Sequence, residues 1–414
     1  LQNRWSEYRE SCRKPYPEMG YRAFGRGGRI FVSIIITIQQ FGLSVVFLLL
    51  ASNNISSFLF AFWQFKVNFC FIALAVAAFI LPFLMLGSAK DFWQAGFVAM
   101  ISTTIAVCFI VTGAIHDWGA CVPDADYPSI VFNKFFLSYG TIMFAYGGHS
   151  VFPSFQHDMK KPNDFGKSVV LGYIIILIMY LPVSILGYIV YGGSQGSSII
   201  TSLQISWIQQ TVNVLITVHV VFTQIIICSP LTLQFEEIFH VPNKFGIRRV
   251  IVRTVIVLCV LFVALSIPNF GAILDLIGGT TITMLTMLLP AIFNMYLVAS
   301  TKKRELFLKE GIIRKDEEDS VRASISEVFR YNHWGIIILN VIILVFGAVG
   351  GVASTISAVV ELIDNDWQLP CYISVFQGSS DSVGSEGAVS CCGHWKNITT
   401  VDGMDPLSYC AVYN

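Results

Sequence analysis

Nine long apolar runs, parted by short polar stretches, constrain this chain more than any other feature. A helix crosses the hydrocarbon core of a bilayer with about 20 mostly apolar residues. Runs of that kind lie at 30–51, 69–88, 95–116, 134–156, 168–192, 208–235, 250–269, 272–299 and 334–362. Only the breaker Pro268-Asn269-Phe270-Gly271 parts the seventh from the eighth, but one helix through both would be about twice the membrane thickness. Charged residues make up 13% of the chain, against about a quarter in soluble domains, and the mean hydropathy is +0.68. So much apolar surface cannot be hidden inside a globule in water, so the expected fold class is all-α integral membrane.

The charges sort by side. With nine spans and residues 1–29 in the cytosol, 23 of the 26 Lys and Arg fall on the inner side, leaving Lys66, Lys134 and Lys396 outside. Such a bias is the positive-inside rule, and one span more or fewer would destroy it. The organisation expected is a cytosolic segment 1–29, a transmembrane domain 30–362 with a cytosolic loop 300–333, and an extracellular or lumenal tail 363–414. Residues 1–29 lack the apolar core of a secretory signal, and Leu1 suggests a fragment or a processed chain. The sequons at Asn54 and Asn397 both fall on the predicted outer side and are glycosylation candidates. Five cysteines also fall there: Cys121, Cys371, Cys391, Cys392 and Cys410. The last four are disulfide candidates within the tail, with a connectivity that spacing cannot give, whereas Cys70, Cys108, Cys228 and Cys259 read as inert thiols in the membrane. No Cys/His cluster has the spacing of a zinc site in a plausible setting, so no metal and no cofactor are expected.

Chemistry is expected where a span is interrupted, because unwound backbone at membrane depth is tolerated only where it is buried in protein or lines a cavity. The fourth span carries such an interruption in Phe144-Ala145-Tyr146-Gly147-Gly148-His149-Ser150-Val151-Phe152-Pro153. Broken helices in transporters offer free backbone groups to the amino and carboxyl ends of a zwitterion. The competing reading is close helix packing at the two glycines with a proline kink. His149 is a coupling or gating candidate because an intramembrane imidazole is costly and titrates near neutral pH; alternatively it bonds a carbonyl and never titrates. His219 is a weaker candidate, better read as structural. No Asp or Glu lies near the centre of a span, and Asp275, toward the outer end of the eighth, is a gating candidate unless it is simply solvated. No phosphate loop, nucleophile elbow or nucleic-acid patch is visible, and no nucleophile, base and orienter stand together, so an enzyme is not expected.

The run FAYGGHSVFPSFQHDM from Phe144 to Met159, with Lys161-Pro162 and Gly187-Tyr188-Ile189-Val190-Tyr191-Gly192, resembles the sixth and seventh helices of the amino acid/auxin permease family. Similar too are Tyr16-Pro17-Glu18-Met19-Gly20, Phe24 to Arg29, and Ile277-Gly278-Gly279-Thr280 leading to Leu289-Pro290-Ala291. The resemblance implies an eleven-helix protein whose first ten helices form a five-plus-five inverted repeat of the leucine-transporter type. On that alignment the nine spans are the third to eleventh, and the first helix, which supplies half of the substrate site, has no counterpart. By position, Phe144, Ala145, Tyr146, Gly147 and Gly148 become substrate-binding residues. The implied activity is secondary active transport of a small amino acid by alternating access. H+ is the expected coupling ion and Na+ the alternative; a non-transporting amino acid sensor is the second class. The expected partners are the amino acid and the lipid of a plasma or vesicular/lysosomal membrane, with no nucleic acid.

Overall fold

The computed structural model describes residues 14–63, 67–85, 93–125, 127, 129–195, 198–242, 246–313, 321–364 and 370–373. Among them the regular structure is helical. A short helix α1 (Pro15–Phe24) is followed by α2 (Arg26–Trp63), α3 (Phe69–Met85), α4 (Trp93–Cys121) and α5 (Phe132–Ala145). Then come α6 (Phe152–Asp158), α7 (Phe165–Tyr191), α8 (Ser206–Ile238), α9 (Ile247–Ser266) and α10 (Phe270–Ile277). Two π-helical stretches, Gly278–Ile282 and Met284–Leu288, join α10 to α11 (Leu289–Lys309), and α12 (Ile325–Tyr331) and α13 (Trp334–Asp364) complete the set.

Seven of these helices, counting α10 to α11 as one, are long and apolar enough to cross a membrane. The other two predicted spans take different forms. The run at 69–88 becomes the 17-residue α3, and the run at 134–156 is split into α5 and α6. The first predicted span ends at 51, whereas α2 runs on to Trp63. Its extension is held in place where Asn213 Nδ2 of α8 donates to the Asn54 carbonyl at 3.0 Å. Asn54 is thus inside a helix and buried, and a glycan needs an exposed asparagine, so this candidate falls away. Asn397 lies outside the described residues, as do Cys391, Cys392 and Cys410. The Pro268 breaker behaves as expected: α9 ends at Ser266, and Asn269 Oδ1 accepts the Ala272 amide to start α10.

The helices sort into two compact units that interleave along the sequence. One contains residues 1–39, 131–169 and 274–361; the other contains 40–130, 170–273 and 362–414. In the first, α1 packs its Tyr16 and Ala23 with Leu285, Leu289 and Phe293. The Tyr16 hydroxyl donates to the Leu285 carbonyl at 2.7 Å, and burial holds this phenol above its ordinary pKa. The stretch before α13 is fastened by Lys303 Nζ, which reaches Glu327, and by the Ala323 amide on Ser300 Oγ. Glu327 closes a capping box with Ser324, and the Ser324 amide, then Lys303, hold its carboxyl below the usual carboxylate range.

In the second unit, Ala106, Ile110 and Ala114 of α4 pack with Val190 and Tyr191 of α7 and with Val212 of α8. Two buried carboxylates tie its helices. Asp117 Oδ2 accepts from the Tyr191 hydroxyl at 2.7 Å and from the Gln204 amide at 3.0 Å. Glu236 accepts from Arg253 Nε at 2.6 Å and Arg249 Nε at 3.0 Å, while Arg253 Nη1 also donates to the Leu84 carbonyl. A Cys70–Cys371 disulfide binds the start of α3 to the segment after α13, with Cα atoms 5.8 Å apart. Cys70 is therefore no inert thiol, and Cys371 pairs with it rather than within the tail. Cys121 is disulfide-bonded as well, whereas Cys108, Cys228 and Cys259 are free.

Candidate transport site at a broken helix

The helical ladder of α5 stops at Ala145. Tyr146 donates its amide to the Ile142 carbonyl at 3.0 Å, and Gly147 turns back onto Phe144 at 3.1 Å. Gly148 then adopts φ +118°, a conformation that side chains with a Cβ rarely reach. A single 3₁₀ turn, His149–Val151, leads into α6, where Pro153 sits in the first turn and forfeits no hydrogen bond. The two glycines break the helix for different reasons. Gly148 has open space around it and supplies the backbone angle. Gly147 supplies the close approach, since a Cβ there would lie 3.2 Å from Ile282 Cγ2.

Ile282 belongs to the first π-helical stretch, so one interrupted helix lies against another. The 3₁₀ turn also borders Met284–Leu288. A π-turn widens the helix and leaves its hydrogen bonds out of register, a feature frequent at functional sites. Three threonines stitch this region to the turn before it: Thr280 onto Leu276 and Thr281 onto Ile277 of α10, and Thr283 Oγ1 onto the Gly278 carbonyl at 2.8 Å. Residues 144 to 149 are all half-buried, and the His149 ring lies 4.8 Å from that of Phe152. Helix ends leave their last carbonyls without intrahelical donors. The arrangement thus offers polar backbone, an aromatic pair in Phe144 and Tyr146, and an imidazole in one short segment.

Asp275 belongs to the same unit. It is 8% exposed, and Thr141 Oγ1 of α5 donates to its Oδ1 at 2.5 Å. The reading of a solvated helix-end carboxylate is corrected: the glycine contact that joins α10 to α5 carries Asp275 into the interior. A Cβ on Gly278 would lie 2.0 Å from the Gly140 carbonyl, and one on Gly140 would lie 2.6 Å from the Asp275 carbonyl. α13 closes over this contact with small residues at helical spacing. A Cβ on Gly351 would meet the Gly279 carbonyl at 2.9 Å, and Ser354 Oγ lies over both Gly140 and Gly279. That spacing of Gly347, Gly350, Gly351 and Ser354 is a signal from which the packing could have been read in the sequence. Thr141 carried no such signal.

His219 lies in the other unit. Its Nδ1 is 2.7 Å from Thr103 Oγ1 and 3.0 Å from the Ala99 carbonyl, and Nε2 is 3.5 Å from Thr223 Oγ1. This is the geometry of an interhelical tie between α4 and α8, the structural alternative for this residue.

A Gly148→Ala substitution separates conformation from packing. No atom opposes the new methyl, so the expected penalty is the backbone term alone, about 1–2 kcal/mol. Thermal unfolding in detergent is expected to show that modest loss, and a much larger one would mean that the new methyl meets a packed wall rather than open space.

A family described as transmembrane amino acid transporter protein matches residues 1–310. Amino acid transporter AVT1B of Arabidopsis thaliana is 28% identical over 66% of this chain and 52% of its own length. AVT1C of the same plant is 29% identical over 68% of the chain and 52% of its own length. AVT1J is 27% identical over 71% and 70%. The chain thus spans about half the length of the first two relatives.

Proposed function

Since the chain belongs to the transmembrane amino acid transporter family, we propose that it moves a small, neutral amino acid across a membrane by proton-driven secondary transport. The observation that carries this reading is the break in the α5–α6 helix at Tyr146–Gly148, set against the π-helical stretch 278–288. Unwound backbone contacts the α-amino or α-carboxyl group, and Phe144 and Tyr146 shape the space for the side chain. Ala145, Gly147 and Gly148 supply the close backbone. Alternating access then changes which side this segment faces.

Nine crossings of a leucine-transporter-like, eleven-helix plan fit the charge asymmetry, with the N-terminus cytosolic and the C-terminus extracellular or lumenal. The cysteines support this orientation. Cys70, Cys121 and Cys371 are bonded and fall at outer ends on that topology, whereas the free Cys108, Cys228 and Cys259 fall within spans.

Ligand chemistry tests the site. In proteoliposomes holding the full-length protein, uptake of a labelled neutral amino acid is expected to be blocked by other small neutral amino acids. It should not be blocked by their methyl esters or by the decarboxylated amines, which lack one end of the zwitterion. Equal competition by the amines and esters would remove the backbone segment as the binding element.

A further inference from the structure

Three carboxylates are buried among the described residues, and they are not equally compensated. Glu236 faces two guanidinium groups. Asp117 accepts from a phenol and a backbone amide, with the His116 ring 3.6 Å away. Asp275 has one donor, the Thr141 hydroxyl, and no cation pairs with it among the described residues. The facing charge from α13, Glu361, has the same sign. The ionisable groups of α5 give no compensation: Lys134 is exposed about two turns from Thr141, and the Tyr139 hydroxyl is turned to Met287 Sδ at 3.5 Å. An ionised carboxylate in such a place is expensive, and taking up a proton relieves the expense.

We propose that Asp275 is the group that binds the transported proton, and that Thr141 passes its protonation state to α5, the first half of the broken helix. The proposal rests on the proton-driven reading above. Thr141 has two acceptors for one hydroxyl hydrogen: Asp275 Oδ1 at 2.5 Å and the Leu137 carbonyl of its own helix at 3.4 Å. With Asp275 ionised, the hydrogen goes to the carboxylate and binds α10 to α5. A proton arriving at Asp275 forms an O–H bond there and turns the acceptor into a donor. The Thr141 hydrogen is then released to Leu137, and the tie between the helices weakens. Thr141 stands four residues before Ala145, where α5 gives way to the unwound segment. A buried hydroxyl with no partner, Ser354 Oγ, lies over the adjoining Gly140 and is available to the rearranged bonds.

The test uses the full-length protein in proteoliposomes with an imposed pH gradient. One proton per substrate drives about tenfold accumulation per pH unit at balance. The parent protein is expected to reach accumulation of that order, whereas Asp275→Asn gives none and exchanges labelled for unlabelled amino acid at a rate that no longer follows pH. Thr141→Val is expected to flatten the pH profile, and Thr141→Ser to restore it. Asp275→Asn with parental accumulation overturns the proposal. So does loss of both activities in Asp275→Asn together with an unchanged pH profile in Thr141→Val, which would mark Asp275 as structural. A parent protein that transports amino acids without response to pH overturns this assignment but leaves the transport reading standing. A parent that moves none overturns both.

Discussion

Replacing Arg253 by methionine is expected to cost about 3–5 kcal/mol of stability, the penalty for breaking a buried ion pair from one side. Arg253 is 1% exposed, and its guanidinium spans two partners, Glu236 of α8 and the Leu84 carbonyl near the end of α3. Methionine fills much of the volume but leaves the carbonyl without its donor and Glu236 with Arg249 alone. Glu236→Gln on its own should also destabilise, because it leaves two guanidinium groups facing a neutral amide. The double variant should lose less than the sum of the singles, since each loss includes the stranded partner of the other. Thermal unfolding of the purified protein in detergent measures all three. An Arg253→Met protein that unfolds with the parent would show that the three helices are not held by this network.

Gly278→Val is expected to be the most damaging substitution in the other unit. A Cβ at this position lies 2.0 Å from the Gly140 carbonyl, so backbone meets backbone and no flexible side chain can yield. Overpacking of ordinary cores costs about 1–3 kcal/mol, and this contact falls at or beyond the upper end. The same contact sets Asp275 beside Thr141, so uptake should vanish even where some folded protein is recovered. Gly172→Ala in α7 is the control: nothing stands within 4 Å of the new methyl, and alanine is the better helix former. Its unfolding temperature should equal or exceed the parent's.

Hydropathy made most of this fold legible, because a bilayer demands long apolar helices and leaves few alternatives. The break in the fourth span was legible for a local reason. Gly147-Gly148 and Pro153 each act on their own backbone, so neighbours are not needed to read them. The π-helical stretch was hidden, since Gly278 to Leu288 keeps its apolar character while its hydrogen-bond register shifts. The environment of Asp275 was hidden from the sequence, because its burial depends on the Gly140–Gly278 approach. Arg253 raised the same difficulty, being counted with the cytosolic charges although it is buried in an ion pair. Cys70 and Cys371 lie 301 residues apart, and no spacing rule links cysteines across so much chain.

Currents across a voltage-clamped membrane containing the full-length protein test the proposed transport of amino acids. A small neutral amino acid is expected to evoke an inward current that grows as the outer pH is lowered and persists when Na+ is replaced. Saturable amino acid binding with no current and no tracer flux at either pH would contradict it, and would favour a sensor built on the same helices.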